Sequence, residues 1–289
     1  MGSQTTMPDV DLGKMALYNL TRATNAISAL KAQHKSEWEA QDTASFDCMH
    51  YLGNGAIENA AQELGLKPGD TVIDIGSGFG GTGRYLAARH GVSVVGVELQ
   101  SDIHELATTI NARRSRSIAD RVRSVNGDFL TLPLCEPPPS LSVDRDARLP
   151  APVDHILSFL CILHIAARKQ LFDRVAEVLN PGGRIYIEDY FARKPLDAQT
   201  TRMLRELLWC PAIPDEERYK SDLQSAGLEV VRWDDMSETW GEFVHNRAVA
   251  YREGECVEKN LAAFYDLVDH LFGSGQLGGC RITAIKTRS

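Results

Sequence analysis

The chain has 289 residues, of which 43% are hydrophobic, and this suffices for one globular core with additions at its ends. Acidic residues outnumber basic ones by 39 to 31, and the net charge of −8 argues against a nucleic-acid partner. No apolar run approaches the roughly 18 residues of a membrane span, so we expect no membrane partner. The six cysteines are scattered without a CxxC pair, which favours reduced thiols and a cytoplasmic location, and we assign no metal ligands.

The first predicted element is a helical arm over residues 12–39, where apolar residues recur at three- and four-residue spacing. Trp38 closes this stretch, and an aromatic, glycine-bearing segment with His50 and Tyr51 follows it. A helix is predicted next, over residues 56–64. We expect the aromatic side chains either to anchor the arm on the core or to help close a pocket.

The stretch from Thr71 to Gly81 reads TVIDIGSGFGG, a short β-branched run followed by glycines and then by a helical pattern. Strand, glycine turn and helix together form the ligand-binding corner of a doubly wound α/β sheet. A second strand, predicted over 92–97, ends at Glu98, whose carboxylate can accept both hydroxyls of a ribose. We therefore expect a nucleoside across these strand ends, and a plain structural turn is the alternative.

Asp74, which opens the glycine turn, distinguishes two kinds of nucleoside ligand. A dinucleotide needs a helix N-terminus directed at its pyrophosphate, and a carboxylate at the turn repels phosphate. S-adenosylmethionine carries a sulfonium and an ammonium group and no phosphate, so a carboxylate suits it. The sequence therefore predicts S-adenosylmethionine as the cofactor and argues against NAD.

Helical and strand patterns alternate along the rest of the chain. A helix over 102–112 ends in the basic residues Arg113, Arg114 and Arg116, which we interpret as a solvated helix end, and the Pro-rich stretch 134–152 predicts a surface loop. Further strands are predicted at 121–125, 155–159, 185–190, 228–233 and 279–286. Further helices are predicted at 167–179, 203–209, 221–226 and over much of 240–272.

At these motifs the sequence resembles the class I S-adenosylmethionine-dependent methyltransferases. VIDIGSGFGG is similar to their first motif and VELQ to their second. NGDF, from Asn126 to Phe129, is similar to the segment that holds the adenine, and LNPGGRI, from Leu179 to Ile185, to the turn before their fifth strand. The resemblance implies a doubly wound, mostly parallel seven-stranded α/β sheet of the Rossmann-like methyltransferase fold, with the last strand antiparallel at its end.

The resemblance also implies three parts of the chain and a set of cofactor contacts. An N-terminal helical arm or lid is expected over 1–55, the S-adenosylmethionine-binding core over 56–190, and the rest of the sheet with substrate-lid helices over 191–289. The cofactor-binding residues that the matched motifs imply are Asp74, Gly76, Ser77, Gly78, Glu98, Leu99, Asp128, Phe129 and Ser158.

A narrower resemblance, to the phosphoethanolamine, sarcosine–dimethylglycine and sterol methyltransferases, is carried by SFLCILHI, IYIEDY and DDMSETWGEFVHNR. It implies catalytic roles for His164, after the fourth strand, and for Tyr190, at the end of the fifth. The phosphobase members carry an acid where this chain has Leu160. Candidate substrate contacts are Trp38, His50, Tyr51, Glu188, Trp209 and Trp240.

We therefore expect an active methyltransferase of a small molecule, with an amine nitrogen as the acceptor and S-adenosylhomocysteine as the product. His164 would act as a base or orient the nucleophile, because its apolar neighbours favour the neutral imidazole. O-, S- or C-methylation is an alternative, and so is a non-catalytic module that binds S-adenosylmethionine. The expected partner is a small-molecule substrate, and a homodimer stays an open alternative.

Overall fold

The structure, a computed structural model, describes residues 20–47, 49–135, 147–254 and 259–287. The strands are β1 (Thr71–Ile75), β2 (Ser93–Glu98), β3 (Val122–Asn126), β4 (Leu134–Cys135), β5 (Leu149–Pro150), β6 (Val153–Phe159), β7 (Leu179–Ala192), β8 (Leu228–Asp235) and β9 (Leu277–Lys286). The α-helices are α1 (Thr21–Ala32), α2 (Ala40–Thr43), α3 (Asn54–Leu64), α4 (Gly81–His90), α5 (Ser101–Asn111), α6 (Arg116–Ala119), α7 (Arg168–Val178), α8 (Ala198–Leu208), α9 (Glu216–Ser225), α10 (Ser237–Glu253) and α11 (Lys259–Gly273).

Seven of these strands form one sheet in the order β3-β2-β1-β6-β7-β9-β8. The pairs from β3 to β7 are parallel, and β9 runs antiparallel to both of its neighbours. This confirms the predicted doubly wound, mostly parallel seven-stranded sheet. The predicted position of the last strand was wrong, because β9 lies between β7 and β8 and the edge strand is β8. Burial explains this order: most of β9 is buried, whereas β8 carries the half-exposed Val231.

Alternate residues of the parallel strands pack on opposite faces of the sheet. Ile73 and its equivalents on neighbouring strands join a core with Phe172 of α7 and Leu223 of α9. Val72 and its equivalents join a second core with Ile57 of α3 and Leu86 of α4. Because both faces are covered by helices, the strands consist largely of β-branched and other apolar residues, as parallel strands usually do.

The helix of the arm ends earlier than predicted. Within its described part, helix α1 ends at Ala32, and the chain then turns at His34, whose φ of 52° lies in the left-handed region. The predicted helical positions before residue 20 lie outside the described residues. The buried residues of α1 are spaced at i, i+4 and i+7, which places them on one face against the core.

Two buried arginines attach the arm to the core. Arg114, predicted as part of a solvated helix end, is only 8% exposed, because it donates to the Trp38 carbonyl at 2.9 Å and to Thr43 Oγ1 at 2.6 Å. Arg84 of α4, 4% exposed, pairs with Asp47 of the arm. Burial lowers the pKa of Arg84 to about 10, so the guanidinium remains charged at neutral pH.

Helices α8, α10 and α11 cover the end of β7. Leu208 of α8, Trp240 of α10 and Leu271 of α11 share one apolar cluster with Tyr190 of β7. In the Pro-rich stretch, β4 and β5 form a short parallel pair outside the main sheet, and residues 136–146 between them lie outside the described ranges. Across those ranges, no helix combines the length and the apolar character that crossing a membrane requires.

Candidate active site

The turn between β1 and α4 needs glycine because of its backbone and its neighbours. Gly76, Gly78 and Gly80 have φ values of 75°, 54° and 78°, which side chains disfavour. A Cβ at Gly76 would collide with the Cys161 side chain, and one at Gly78 with the methyl group of Met49. The arm and the segment after β6 therefore approach the turn closely from two sides.

A cavity of about 300 Å³ lies beside this turn, at the carboxyl ends of β1, β2 and β6. Of the nine cofactor residues that the motifs imply, eight line it: Asp74, Gly76, Ser77, Gly78, Glu98, Leu99, Asp128 and Phe129. Ser158 does not, because it is fully buried and its hydroxyl donates to the Ile75 carbonyl at 3.1 Å. The cavity also has lining residues that the motifs did not indicate, among them Asp47, Met49 and Thr82.

Glu98 is fixed against the glycine turn. One carboxylate oxygen accepts the Gly78 amide at 3.0 Å, and the other accepts the Gln100 amide at 2.8 Å. Burial raises the pKa of Glu98, while these amides oppose that rise by stabilising the carboxylate. The side chain is thus oriented before any ligand binds and retains lone pairs for two ribose hydroxyls.

Replacing Glu98 by alanine should weaken cofactor binding by about 1–3 kcal/mol, or roughly five- to 150-fold, because the ribose loses its acceptors. Calorimetry with S-adenosylhomocysteine measures this change. Glu105→Ala, on the exposed side of α5, is the matched control and should leave the dissociation constant unchanged. An equal dissociation constant for the Glu98 variant would mean that the second motif does not bind ribose.

Asp74 carries a carboxyl group whose charge depends on pH in the physiological range. Burial, with a further contribution from the Glu98 charge, raises its pKa to about 7. A cationic ligand favours the ionised carboxylate. Protonation of Asp74 therefore competes with ligand binding only when the pH is below the pKa that Asp74 has in the ligand-free protein.

We therefore expect the affinity for S-adenosylmethionine to be constant above about pH 7 and to fall by about tenfold per pH unit below it. Titrations between about pH 5 and pH 8 would measure this dependence. In Asp74→Asn, binding should be weaker and nearly independent of pH over that interval. An affinity that does not change with pH in the unmodified protein would contradict the role of Asp74.

The other end of the cavity, here called the substrate end, is formed by His50 and by residues 159–167. The His50 ring stacks on Phe159 with 4.4 Å between ring centroids. Burial lowers the pKa of His50 and raises that of the Cys161 thiol, so both groups are uncharged at neutral pH. Among the described residues, no acidic side chain lines this end.

His164 lies on the 3₁₀ turn Ile162–His164 and lines the substrate end. Its Nδ1 is 3.1 Å from the Trp209 carbonyl oxygen, which can only accept, so Nδ1 carries the hydrogen. Burial lowers the pKa of His164 to about 4, and the imidazole is therefore neutral at pH 7. In this tautomer Nε2 is unprotonated and is the acceptor nitrogen of the ring.

The structure does not bring Tyr190 to the cavity. Tyr190 is 2% exposed, its hydroxyl is hydrogen-bonded to that of Tyr51, and the rings of Tyr51 and Trp240 pack edge-to-face at 5.2 Å. These three residues form an aromatic cluster between α10, which carries Trp240, and the end of β7, which carries Tyr190. Direct contact of any of them with a reacting group is therefore not supported.

Three other predicted substrate contacts also lie away from the cavity. Trp38 is buried with Ile27 in the arm cluster. Glu188 accepts the Tyr186 hydroxyl at 2.6 Å and forms an ion pair with Arg281 at 2.7 Å. Trp209 offers its carbonyl to His164, but its side chain does not line the cavity. Of the six predicted substrate contacts, His50 alone among the described lining residues reaches it.

Comparison with known proteins identifies one family. Residues 49–232 match a family described as "Methyltransferase domain". Methyltransferase GfsG of Streptomyces halstedii is 27% identical over 208 residues, which cover 71% of this chain and 68% of that protein. Phosphoethanolamine N-methyltransferase 1 of Zea mays is 27% identical over 219 residues, which cover 74% of this chain but 38% of the relative.

A solved structure shares the fold. Phosphoethanolamine N-methyltransferase 2 of Haemonchus contortus, in complex with phosphomonomethylethanolamine and S-adenosylhomocysteine, superimposes with a TM-score of 0.69 at 18% identity. The superposition covers 84% of this chain and 55% of that one. At this level of identity the similarity concerns the arrangement of helices and strands.

Proposed function

Since the chain belongs to the methyltransferase domain family, we propose that it methylates a hydroxyl oxygen of a small, largely apolar molecule. Family membership makes it an S-adenosylmethionine-dependent methyltransferase that acts on a small molecule. The acceptor atom and the apolar character of the substrate are the parts that we propose.

The residues of the cavity fit the cofactor. The glycine turn lets a ligand lie against the main chain, Glu98 is oriented for the ribose, and Asp74 is a carboxylate for a cation. When bound, S-adenosylmethionine supplies an electrophilic methyl group with a neutral leaving group. The protein therefore contributes mainly alignment, exclusion of water and a place for the proton of the nucleophile.

One observation supports the choice of a hydroxyl acceptor: the substrate end is lined by apolar side chains and by a neutral imidazole whose Nδ1 is held by a carbonyl, which leaves Nε2 as the unprotonated nitrogen. A hydroxyl group can donate to Nε2 of His164, which aligns the oxygen and receives its proton as the carbon–oxygen bond forms. An ammonium group would find no acidic side chain among the described residues at this end, and burying an unpaired charge is costly.

N-methylation of an amine, the expectation from the sequence, is the second candidate. It is favoured by the 27% identity to the maize N-methyltransferase. In this site an amine would have to enter uncharged, because the substrate end of the cavity lacks a described acidic side chain. The two candidates therefore differ in how their rates depend on pH.

Incubation with S-adenosylmethionine and a panel of apolar alcohols, phenols and amines of matched size would test the proposal, with products identified by mass spectrometry. We expect methyl ethers as products, at rates nearly independent of pH around neutrality. Methylated amines would favour the second candidate instead. Their rate of formation should rise about tenfold for each unit by which the pH increases, as long as the pH is below the amine pKa. No transfer to any acceptor, with S-adenosylhomocysteine binding intact by calorimetry, would favour a binding module.

A further inference from the structure

Two residues with unusual backbone conformations occur near His164: Leu160 precedes it by four residues in the chain, and Trp209 contacts its ring through a carbonyl. Leu160 and Trp209 have φ values of 49° and 53°, and among the described non-glycine residues only His34 and Leu52 share this region. Such a conformation is unfavourable in a residue with a side chain and persists where the surroundings impose it. Trp209, whose carbonyl contacts His164, is therefore held in this conformation by its surroundings.

Trp209 is the residue that ends helix α8. Its left-handed conformation turns the chain away from the helix axis, and its carbonyl oxygen then lies 3.1 Å from His164 Nδ1. Carbonyl groups at a helix C-terminus lack partners within the helix and carry a partial negative charge. The carbonyls of Leu208 and Trp209 both act on His164 and raise its pKa against the effect of burial.

We propose that Trp209 is a positioning residue, whose backbone carbonyl holds the His164 imidazole with Nδ1 protonated and Nε2 directed to the substrate. This inference rests on the proposed function, in which Nε2 takes the hydroxyl proton. The role belongs to the left-handed turn and the carbonyl, because the indole does not line the cavity.

The geometry accounts for both protonation states of the base. Before transfer, the Trp209 carbonyl can accept only from Nδ1–H, so the tautomer with a free Nε2 is selected. During transfer, the hydroxyl O–H bond breaks, the oxygen bonds the methyl carbon, the sulfur keeps the electron pair of the broken S–C bond, and Nε2 receives the proton. The imidazolium then keeps its Nδ1–H bond at the negative end of α8, which favours the cation.

The same contact connects the base to helix α8. Leu163, next to His164, packs in one apolar cluster with Leu204 and Leu208 of α8. The turn that carries the base and the helix that orients it therefore form one packed unit. A substrate that displaces α8 would also change the direction of Nε2.

Two variants, Trp209→Gly and Trp209→Pro, distinguish the effect of the left-handed turn from the effect of the indole side chain. Glycine adopts the left-handed conformation without a penalty and keeps the carbonyl, whereas proline fixes φ near −65° and removes the turn. We expect Trp209→Gly to retain kcat within about threefold, and Trp209→Pro to lower it by about a hundredfold through misplacement of the base. The KM for S-adenosylmethionine should change little in both.

Nitrogen-15 NMR of His164 gives a readout that does not depend on activity. The unmodified protein and Trp209→Gly should show the Nδ1–H tautomer, and a thermally stable Trp209→Pro should lose it. His34→Gly, which relieves the same backbone conformation in the arm, is the control and should not change the tautomer.

An Nε2–H tautomer in the unmodified protein would overturn the proposal, and so would full kcat in Trp209→Pro or a hundredfold loss in Trp209→Gly. If the enzyme methylates only amines but His164 holds the Nδ1–H tautomer through Trp209, the hydroxyl acceptor is wrong and the positioning role stands.

Discussion

Replacing His164 by alanine is expected to lower kcat by about a hundred- to ten-thousand-fold, the usual range for loss of a general base. The nucleophile would lose both the acceptor that aligns it and the group that takes its proton. Cofactor affinity should barely change, because His164 contacts the Trp209 carbonyl and lies at the substrate end of the cavity. Steady-state kinetics with calorimetry on the same samples would separate the two quantities.

His164→Asn distinguishes orientation from proton transfer, because asparagine keeps hydrogen-bonding capacity but cannot act as the base. His104→Ala is a matched control, since that imidazole bonds Ser124 Oγ at 2.8 Å and does not line the cavity.

The His164 pKa of about 4 implies that kcat stays level at neutral pH and falls only as the base becomes protonated near that value. If both His164 variants turn over like the parent from about pH 6 to 9, His164 is structural.

Asp47→Ala is expected to lower the free energy of unfolding by about 3–5 kcal/mol, because it leaves a buried charge without its partner. That charge is on Arg84, which is 4% exposed and also bonds Asn111 Oδ1 and the Phe79 carbonyl, neither of which neutralises it. Asp47 in addition accepts the Thr43 hydroxyl at 2.8 Å, so the loss should also loosen the arm. Chemical denaturation and limited proteolysis would measure the two effects.

Asp173→Ala is the matched control for this ion pair. Asp173 pairs with Lys169 at 2.6 Å, but the lysine is 82% exposed, so its removal should cost less than about 1 kcal/mol. Because Asp47 also lines the cofactor cavity, kcat should fall in its variant and stay unchanged in the control. Equal stability losses for the two variants would show that burial of Arg84 does not govern the contribution of the pair.

The cofactor half of the site could be predicted because its residues lie in short, continuous motifs. Asp74 lies near the end of one strand, Gly76 and Gly78 follow that strand, and Glu98 ends the next, so the topology alone brings them to one edge. Ser158 does not line the cavity, and its position at a strand end gives no information on the direction of its hydroxyl.

The substrate half depends on contacts that spacing along the chain cannot indicate. The acceptor for His164 is 45 residues away, at the end of a helix whose C-terminal conformation is left-handed. Tyr190 and Glu188 share one face of β7 with Tyr186, and that face packs on other side chains rather than on the cavity. Arg114 shows the same difficulty, because a basic run usually indicates a solvated surface and its buried partners belong to the distant arm.

The position of β9 constrains the order in which this fold can be completed. Residues 277–286 must insert between β7 and β8, which are both made earlier, so a nascent chain exposes the facing edges of β7 and β8 until β9 emerges. Unpaired edges recruit other strands, and distant pairings form slowly. Newly synthesised chains should therefore depend on chaperones during that interval, and truncation before residue 277 should produce aggregates rather than a smaller folded domain.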